Sequence, residues 1–98
     1  MAEKVIAELD DIIHSKIRLG VMSILMTAES AQFTYLKEVL EATEGNLSVH
    51  LKKLEDAGYI KVEKKFVRRK PQTLLKITSK GRKAFEKYLE VLEKIIGK

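Results

Sequence analysis

The period of the hydrophobic residues changes twice along this chain, and that change constrains its fold more than any other feature. From Val5 to Leu54 apolar residues recur every three or four positions, the spacing of one helix face. From Tyr59 to Ile77 they alternate, imperfectly, with charged residues, as in half-buried strands. From Phe85 to Ile96 the helical spacing returns. The order helix, helix, helix, strand, strand, helix predicts an α+β, mostly α chain with one hairpin.

Local signals place the boundaries. Apolar residues from Val5 through Leu25 predict an amphipathic helix over residues 5–28, either bent or split near His14-Ser15, where Ser15 can cap a second segment. Thr34 reads as the N-cap of a short helix to about Glu41, with Phe33 as a hydrophobic staple and Leu36, Val39 and Leu40 buried. Thr43 caps a third helix reaching Ala57, and Gly58 stands where a C′ glycine stops it. Residues 59–66 and 73–77 are the expected strands. The basic connection 67–72 between them holds the chain's only proline, Pro71. Thr78 or Ser79 caps the last helix. A single domain over 1–98 is expected, with a helical extension at 1–14, a helix-turn-helix at 34–57, a hairpin at 59–77 and a terminal helix at 79–96.

Charge is unevenly spread. Residues 1–51 hold 4 basic and 8 acidic groups, residues 52–83 hold 12 and 3, and residues 84–98 hold 3 of each. The net charge of +5 therefore comes from one third of the chain. Such asymmetry fits a polyanion such as nucleic acid or an anionic membrane surface, and it equally fits a solvated basic face. No apolar stretch approaches the roughly 18–20 residues that span a bilayer, and the first residues lack a secretory layout, so a cytoplasmic chain is expected.

Several chemistries are disfavoured. Cysteine is absent, and the two histidines, His14 and His50, lie on different elements without ligand spacing, so no metal or other cofactor is expected. Asp10-Asp11 reads as solvated surface, and no phosphate loop or nucleophile motif occurs, so no catalytic residue is expected.

On the third helix, about 100° per residue puts Leu47, Leu51 and Leu54 on one seam. Val49, Lys52, Lys53 and Asp56 fall opposite, with Ser48 and Asn46 beside them and His50 at the edge of the buried side. Asn, Ser and Lys can meet base edges or phosphates, and Val49 can touch a thymine methyl. Gly45 and Asn46 stand at the helix N-terminus, which favours phosphate. Such a face is also what any solvated helix shows. Arg68, Arg69 and Lys70 crowd one end of the hairpin, where like charges repel unless an anion meets them.

The run from Gly45 to Ile60 resembles the recognition helix and following strand of MarR- and ArsR-like winged-helix regulators. His14 to Met22 is similar to their opening helix, Phe66 to Thr73 to their wing, and Ile77 to Arg82 to the start of their last helix. The resemblance covers about residues 10–90. It implies a winged helix-turn-helix with a three-helix core, a two-stranded hairpin wing and long terminal helices for dimerisation. It further implies a homodimeric regulator that binds duplex DNA sequence-selectively. Asn46, Ser48, Val49, Lys52 and Lys53 carry over as groove contacts, and Arg68, Arg69 and Lys70 as wing contacts, while Gly45 stays a candidate DNA contact through its place at the helix N-terminus. His50 carries over as a phosphate contact, with a packing residue at the core edge as the other reading. A small-molecule effector is not expected, because little chain remains to form its pocket.

The terminal stripes exceed what a compact core would cover. Val5, Ile6, Leu9, Tyr88, Leu92, Ile95 and Ile96 are expected to pair across a two-fold axis, the other reading being packing within their own domain. An RNA-binding or protein-interaction winged helix without sequence-specific DNA binding is the alternative function.

Overall fold

The computed structural model describes residues 2–97, so the first and last residues of the expected 1–98 span lie outside the described residues. The elements are α1 (Ala2–Ile6), α2 (Lys16–Thr27), β1 (Ala31–Gln32), α3 (Phe33–Val39), α4 (Glu44–Asp56), β2 (Ile60–Val67), β3 (Lys70–Ile77) and α5 (Ser79–Ile95). The chain is a winged helix, with α2, α3 and α4 over a three-stranded antiparallel sheet of order β1-β3-β2. Val21, Met22 and Leu25 of α2, Leu36 of α3, Leu47, Leu51 and Leu54 of α4, and Ile60 and Leu75 of the sheet form the buried centre. Each such side chain contributes about 1.5–3 kcal/mol by leaving water.

The N-terminal region is two helices, and the join is longer than the sequence suggests. Asp10 Oδ1 accepts from the backbone N–H of Ile12 at 2.8 Å and of Ile13 at 3.3 Å. A short acid that satisfies its neighbours' amides competes with helix, so residues 7–15 turn instead. The turn still delivers Ile13 to the core, fully buried. Ser15 is the N-cap of α2 by backbone geometry, without a side-chain cap bond.

Four further expectations are corrected. The N-cap of α3 is Gln32, not Thr34, because β1 runs directly into the helix and leaves Phe33 as its first residue. Thr34 is exposed, and its hydroxyl donates to Gln32 Oε1 at 3.4 Å. Val39, expected inside, is 49% exposed. The sheet has a third strand, the two-residue β1, with Ala31 opposite Leu75 and Gln32 opposite Leu74. The hairpin is also tighter, with only Arg68 and Arg69 between the strands and Lys70-Pro71 inside β3.

Pro71 sits in the central strand without breaking it. Val67 pairs with Lys70 across the two-residue turn, and the next pair is Phe66 with Pro71. Hydrogen-bonded and non-hydrogen-bonded pairs alternate, so Pro71 owes β2 no donor. Its missing N–H faces the side that β1 does not reach.

Caps agree with the sequence at three other places. The Thr43 hydroxyl accepts from Asn46 N–H at 3.1 Å, and the Thr78 hydroxyl accepts from Gly81 N–H at 2.9 Å. Gly58, at φ +80°, ends α4 in the left-handed region.

Candidate nucleic-acid interface

On α4, Leu47, Leu51 and Leu54 are buried while Glu44, Gly45, Asn46, Ser48, Val49, Lys52 and Lys53 are exposed. Burial of the leucine seam turns the remaining positions outward, because one helix cannot bury both faces of this sequence. Val49, 56% exposed, is an apolar side chain held in solvent among polar neighbours. The Lys52 ammonium bonds Asp56 at 2.9 Å, one turn along, and this contact raises the Lys52 pKa from its usual value. Both partners are well exposed, so the pair is weak and a phosphate can replace Asp56.

The hairpin supplies the second basic element. Strand parity puts Ile60, Val62, Lys64 and Phe66 on one face of β2, and Pro71, Thr73, Leu75 and Ile77 opposite them on β3. The inner end of this face is core, and Ile60 and Leu75 are buried there. Further out it borders α4. An open groove of about 740 Å³ lies between the two elements, edged by Ser48 and Lys52 from α4 and by Val62, Lys64 and Thr73 from the hairpin. Glu44 and Glu55 also line it.

Beyond the groove lies the tip. Arg68 and Arg69 stand at φ +53° and +68°, the conformation of a type I′ turn that Asn and Gly adopt most readily. Arginine there costs about 1 kcal/mol per residue, and strain held by exposed cations is a mark of a functional segment. Among the described residues, the ion pairs are Lys52–Asp56, Lys65–Glu63 and Lys76–Glu63, so Lys53, Lys64, Arg68, Arg69 and Lys70 have no carboxylate partner.

His50 is placed differently from its neighbours on α4. Its Nδ1 lies 2.8 Å from Nη1 of Arg18, a buried residue of α2. Burial lowers the His50 pKa, and the positive charges of Arg18 and Lys53 lower it further. The ring is therefore half-buried and neutral at the edge of the exposed face.

The expected dimer residues are spread between the core and the surface. Tyr88 is 3% exposed, and its hydroxyl lies 2.8 Å from His14 Nδ1, so it is spent on the chain's own interior. Leu9 and Leu92 are partly buried against the core. Val5 and Ile95 are half-buried, whereas Ile6 and Ile96 are 51% and 60% exposed. Leu89, seven residues before Ile96 and on the same side of α5, is 40% exposed.

Sequence reasoning missed Arg18, Lys64 and Phe66. For Lys64 and Phe66 the signal was present, because counting in twos from Ile60 reaches both. Phe66 is 79% exposed, an unusual position for a phenylalanine. Arg18 carried no periodic signal, since its burial depends on the irregular turn just before α2 and on His50, 32 positions away.

Among the described residues no group of three or more His, Cys, Asp or Glu could hold a metal ion, and no helix is long and apolar enough to cross a membrane.

Known proteins share this fold. The family described as winged helix DNA-binding domain matches residues 17–96. An uncharacterized protein of Methanocaldococcus jannaschii is 42% identical over 83 residues, covering 84% of this chain and 90% of its own. A transcriptional regulator homologue from Pyrococcus horikoshii superimposes with a TM-score of 0.85 and 31% identity, over 96% of this chain and 91% of that one. A MarR-family regulator from Silicibacter pomeroyi shares the fold at a TM-score of 0.62 and 14% identity, over 98% of this chain and 66% of that one. With α4 and the basic hairpin bordering one groove, and with that family spanning all but the N-terminal segment and the last two residues, the chain belongs to the winged helix DNA-binding domain family.

Proposed function

We propose that this chain regulates transcription as a homodimer that binds duplex DNA sequence-selectively, and that it catalyses no reaction. In this reading α4 enters the major groove. Asn46, Ser48, Val49, Lys52 and Lys53 face base edges and phosphates there, and Gly45 lies at the helix N-terminus against the backbone. Arg68, Arg69 and Lys70 follow the backbone or enter the adjacent minor groove. Such a role belongs in the cytoplasm, with the cell's DNA. The observation that carries the reading is that the recognition face and the hairpin border one groove, with five nearby cations unpaired.

Dimerisation is the second half of the proposal. Ile6 of α1 and Leu89 and Ile96 of α5, two helices that pack on each other, leave apolar surface uncovered. Pairing these surfaces about a two-fold axis would present two α4 helices to successive major grooves, about 10 base pairs apart.

Selection from random duplex DNA at physiological salt tests both halves. A palindrome with half-sites one helical turn apart is the expected result. Absence of any motif, with binding that vanishes as salt rises, would remove sequence-selective regulation. The exposed Phe66 favours a protein-docking module as the second reading. Exchange of Arg68, Arg69 and Lys70 for alanine separates the two. DNA binding should weaken on all sequences with a shallower salt slope, whereas docking through Phe66 would persist.

A further inference from the structure

Arg18 is the buried charged residue among the described residues, 9% exposed. Its guanidinium carries five N–H donors and no acceptor. Nε donates to the carbonyl of Ile12, and Nη2 donates to the carbonyl of Asp11 at 3.4 Å. Nη1 lies 2.8 Å from His50 Nδ1. Since the guanidinium can only donate, Nδ1 must accept, and the single ring proton of neutral His50 is left on Nε2.

The surroundings hold the ring in that state. The turn that presents the Ile12 and Asp11 carbonyls is itself closed by Asp10, whose second oxygen accepts from the Tyr59 hydroxyl. The charged groups beside His50 are Arg18 from α2 and Lys53 from α4. From the turn, Asp11 meets Arg18 through its backbone carbonyl, and no carboxylate is in ion-pair range of Arg18 among the described residues. A second proton on His50 would face two cations and break the contact at Nδ1.

The other nitrogen is free. No hydrogen bond engages Nε2 among the described residues, yet no buried side-chain nitrogen or oxygen lacks a partner. Nε2 therefore opens to solvent. On α4, His50 stands four residues after Asn46 and three before Lys53, in line with two exposed polar residues of the proposed contact face.

We infer that Arg18, which is too deep to touch nucleic acid itself, fixes the tautomer of His50 so that its Nε2–H is offered to a phosphate oxygen at the edge of the recognition face. Arg18 is a positioning residue acting through His50, and the inference rests on the duplex-binding reading above. The arrangement makes the donor permanent, because a neutral ring with Nδ1 occupied donates from Nε2 without needing acid.

Nitrogen-15 NMR of the imidazole, together with the affinity for a selected duplex between pH 6 and 8, tests it. The wild type should show the Nε2–H tautomer and an affinity contribution from His50 that changes less between pH 8 and pH 6 than it does in Arg18→Met. In Arg18→Met the ring should lose its tautomer preference and titrate in the ordinary range near pH 6.5. Its affinity should fall about tenfold at pH 8, the size of one lost hydrogen bond to a charged group. It should then recover as pH falls and the imidazolium meets phosphate. Two variants at the exposed end do not depend on replacing a buried residue. His50→Gln, whose amide nitrogen lies near the place of Nε2, should bind within about threefold of wild type, and His50→Ala should lose about tenfold.

A wild-type ring protonated on Nδ1 overturns the inference, as does a folded Arg18→Met with the wild-type pH profile. So does a His50→Ala that binds as well as wild type. A wild type that binds no duplex at any pH removes the proposed function and the donor's role together. A wild type that binds DNA with the Nδ1–H ring removes only the role of Arg18.

Discussion

At the scale of single residues, the hairpin tip sets function against stability most directly. Arg68 and Arg69 occupy left-handed backbone that Asn-Gly fills with little strain. The double exchange Arg68→Asn, Arg69→Gly should stabilise the fold by about 1–2 kcal/mol, raising Tm by roughly 4–8 °C for each kcal/mol. The same protein should bind DNA more weakly, with a salt slope shallower by nearly two units, since each phosphate contact contributes about 0.9. Thermal melts and salt titrations check the two signs independently. Tyr59 gives a second residue-level prediction. Burial, then its bond to Asp10, pushes the Tyr59 pKa up to about 12. A folded pKa above the unfolded one means the native state holds the proton more tightly. The stability this contributes is complete below pH 10 and is lost as pH rises toward 12. Denaturant midpoints should therefore fall across that window in wild type, and the Tyr59 part of that fall should be absent in Tyr59→Phe.

Between elements, the junction of α4, β2 and α5 controls how the hairpin is aimed. Thr78 N–H donates to the Tyr59 carbonyl at 3.0 Å, and the Thr78 hydroxyl donates to the Gly58 carbonyl at 2.6 Å. The start of α5 thus lies on the chain leaving α4. Gly81 makes this contact possible, because a Cβ there would stand 2.1 Å from the Tyr59 carbonyl oxygen. That obstacle is backbone and cannot rotate away. Gly81→Ala should cost about 3 kcal/mol or more, although alanine is the better helix former. A melt that is unchanged or improved would show that α5 can slide. The N-cap of α4 is a milder case. Thr43→Ala should lose about 1 kcal/mol while leaving the helix in place.

For the whole molecule, shape is the informative quantity. The radius of gyration is 14.6 Å and the extents are 55 × 25 × 22 Å, whereas a compact chain of this length has a radius near 13 Å. The outer hairpin projects from the core, every residue from Lys64 to Pro71 being exposed. Projection suits a reader of long, grooved DNA, and it strands apolar residues that one copy cannot bury. Leu89→Asp with Ile96→Asp should yield a folded monomer by sedimentation. It should also weaken binding to a palindromic site far more than to a single half-site. A wild-type monomer at micromolar concentration would refute the dimer.

Much of this architecture was legible in the sequence because its causes are local. The leucine seam of α4, its cap at Thr43, its stop at Gly58 and the switch to strand period all depend on neighbours within a few residues. Other features arise from contacts distant along the chain. A two-residue strand has no period to read, and β1 exists only because β3 offers Leu74 and Leu75 as partners. Tyr88 and Leu89 are equally apolar to a periodicity argument, but packing buries the first and leaves the second uncovered. Arg18 reads as a solvated charge among helix residues, and only the turn at Asp10 and the ring of His50, 32 positions away, make it a buried donor. Local chemistry therefore determined the longer elements and most of the exposed basic face. Tertiary packing alone decided which polar groups meet in the interior, because hydrogen-bond partners far apart in sequence leave no pattern along it.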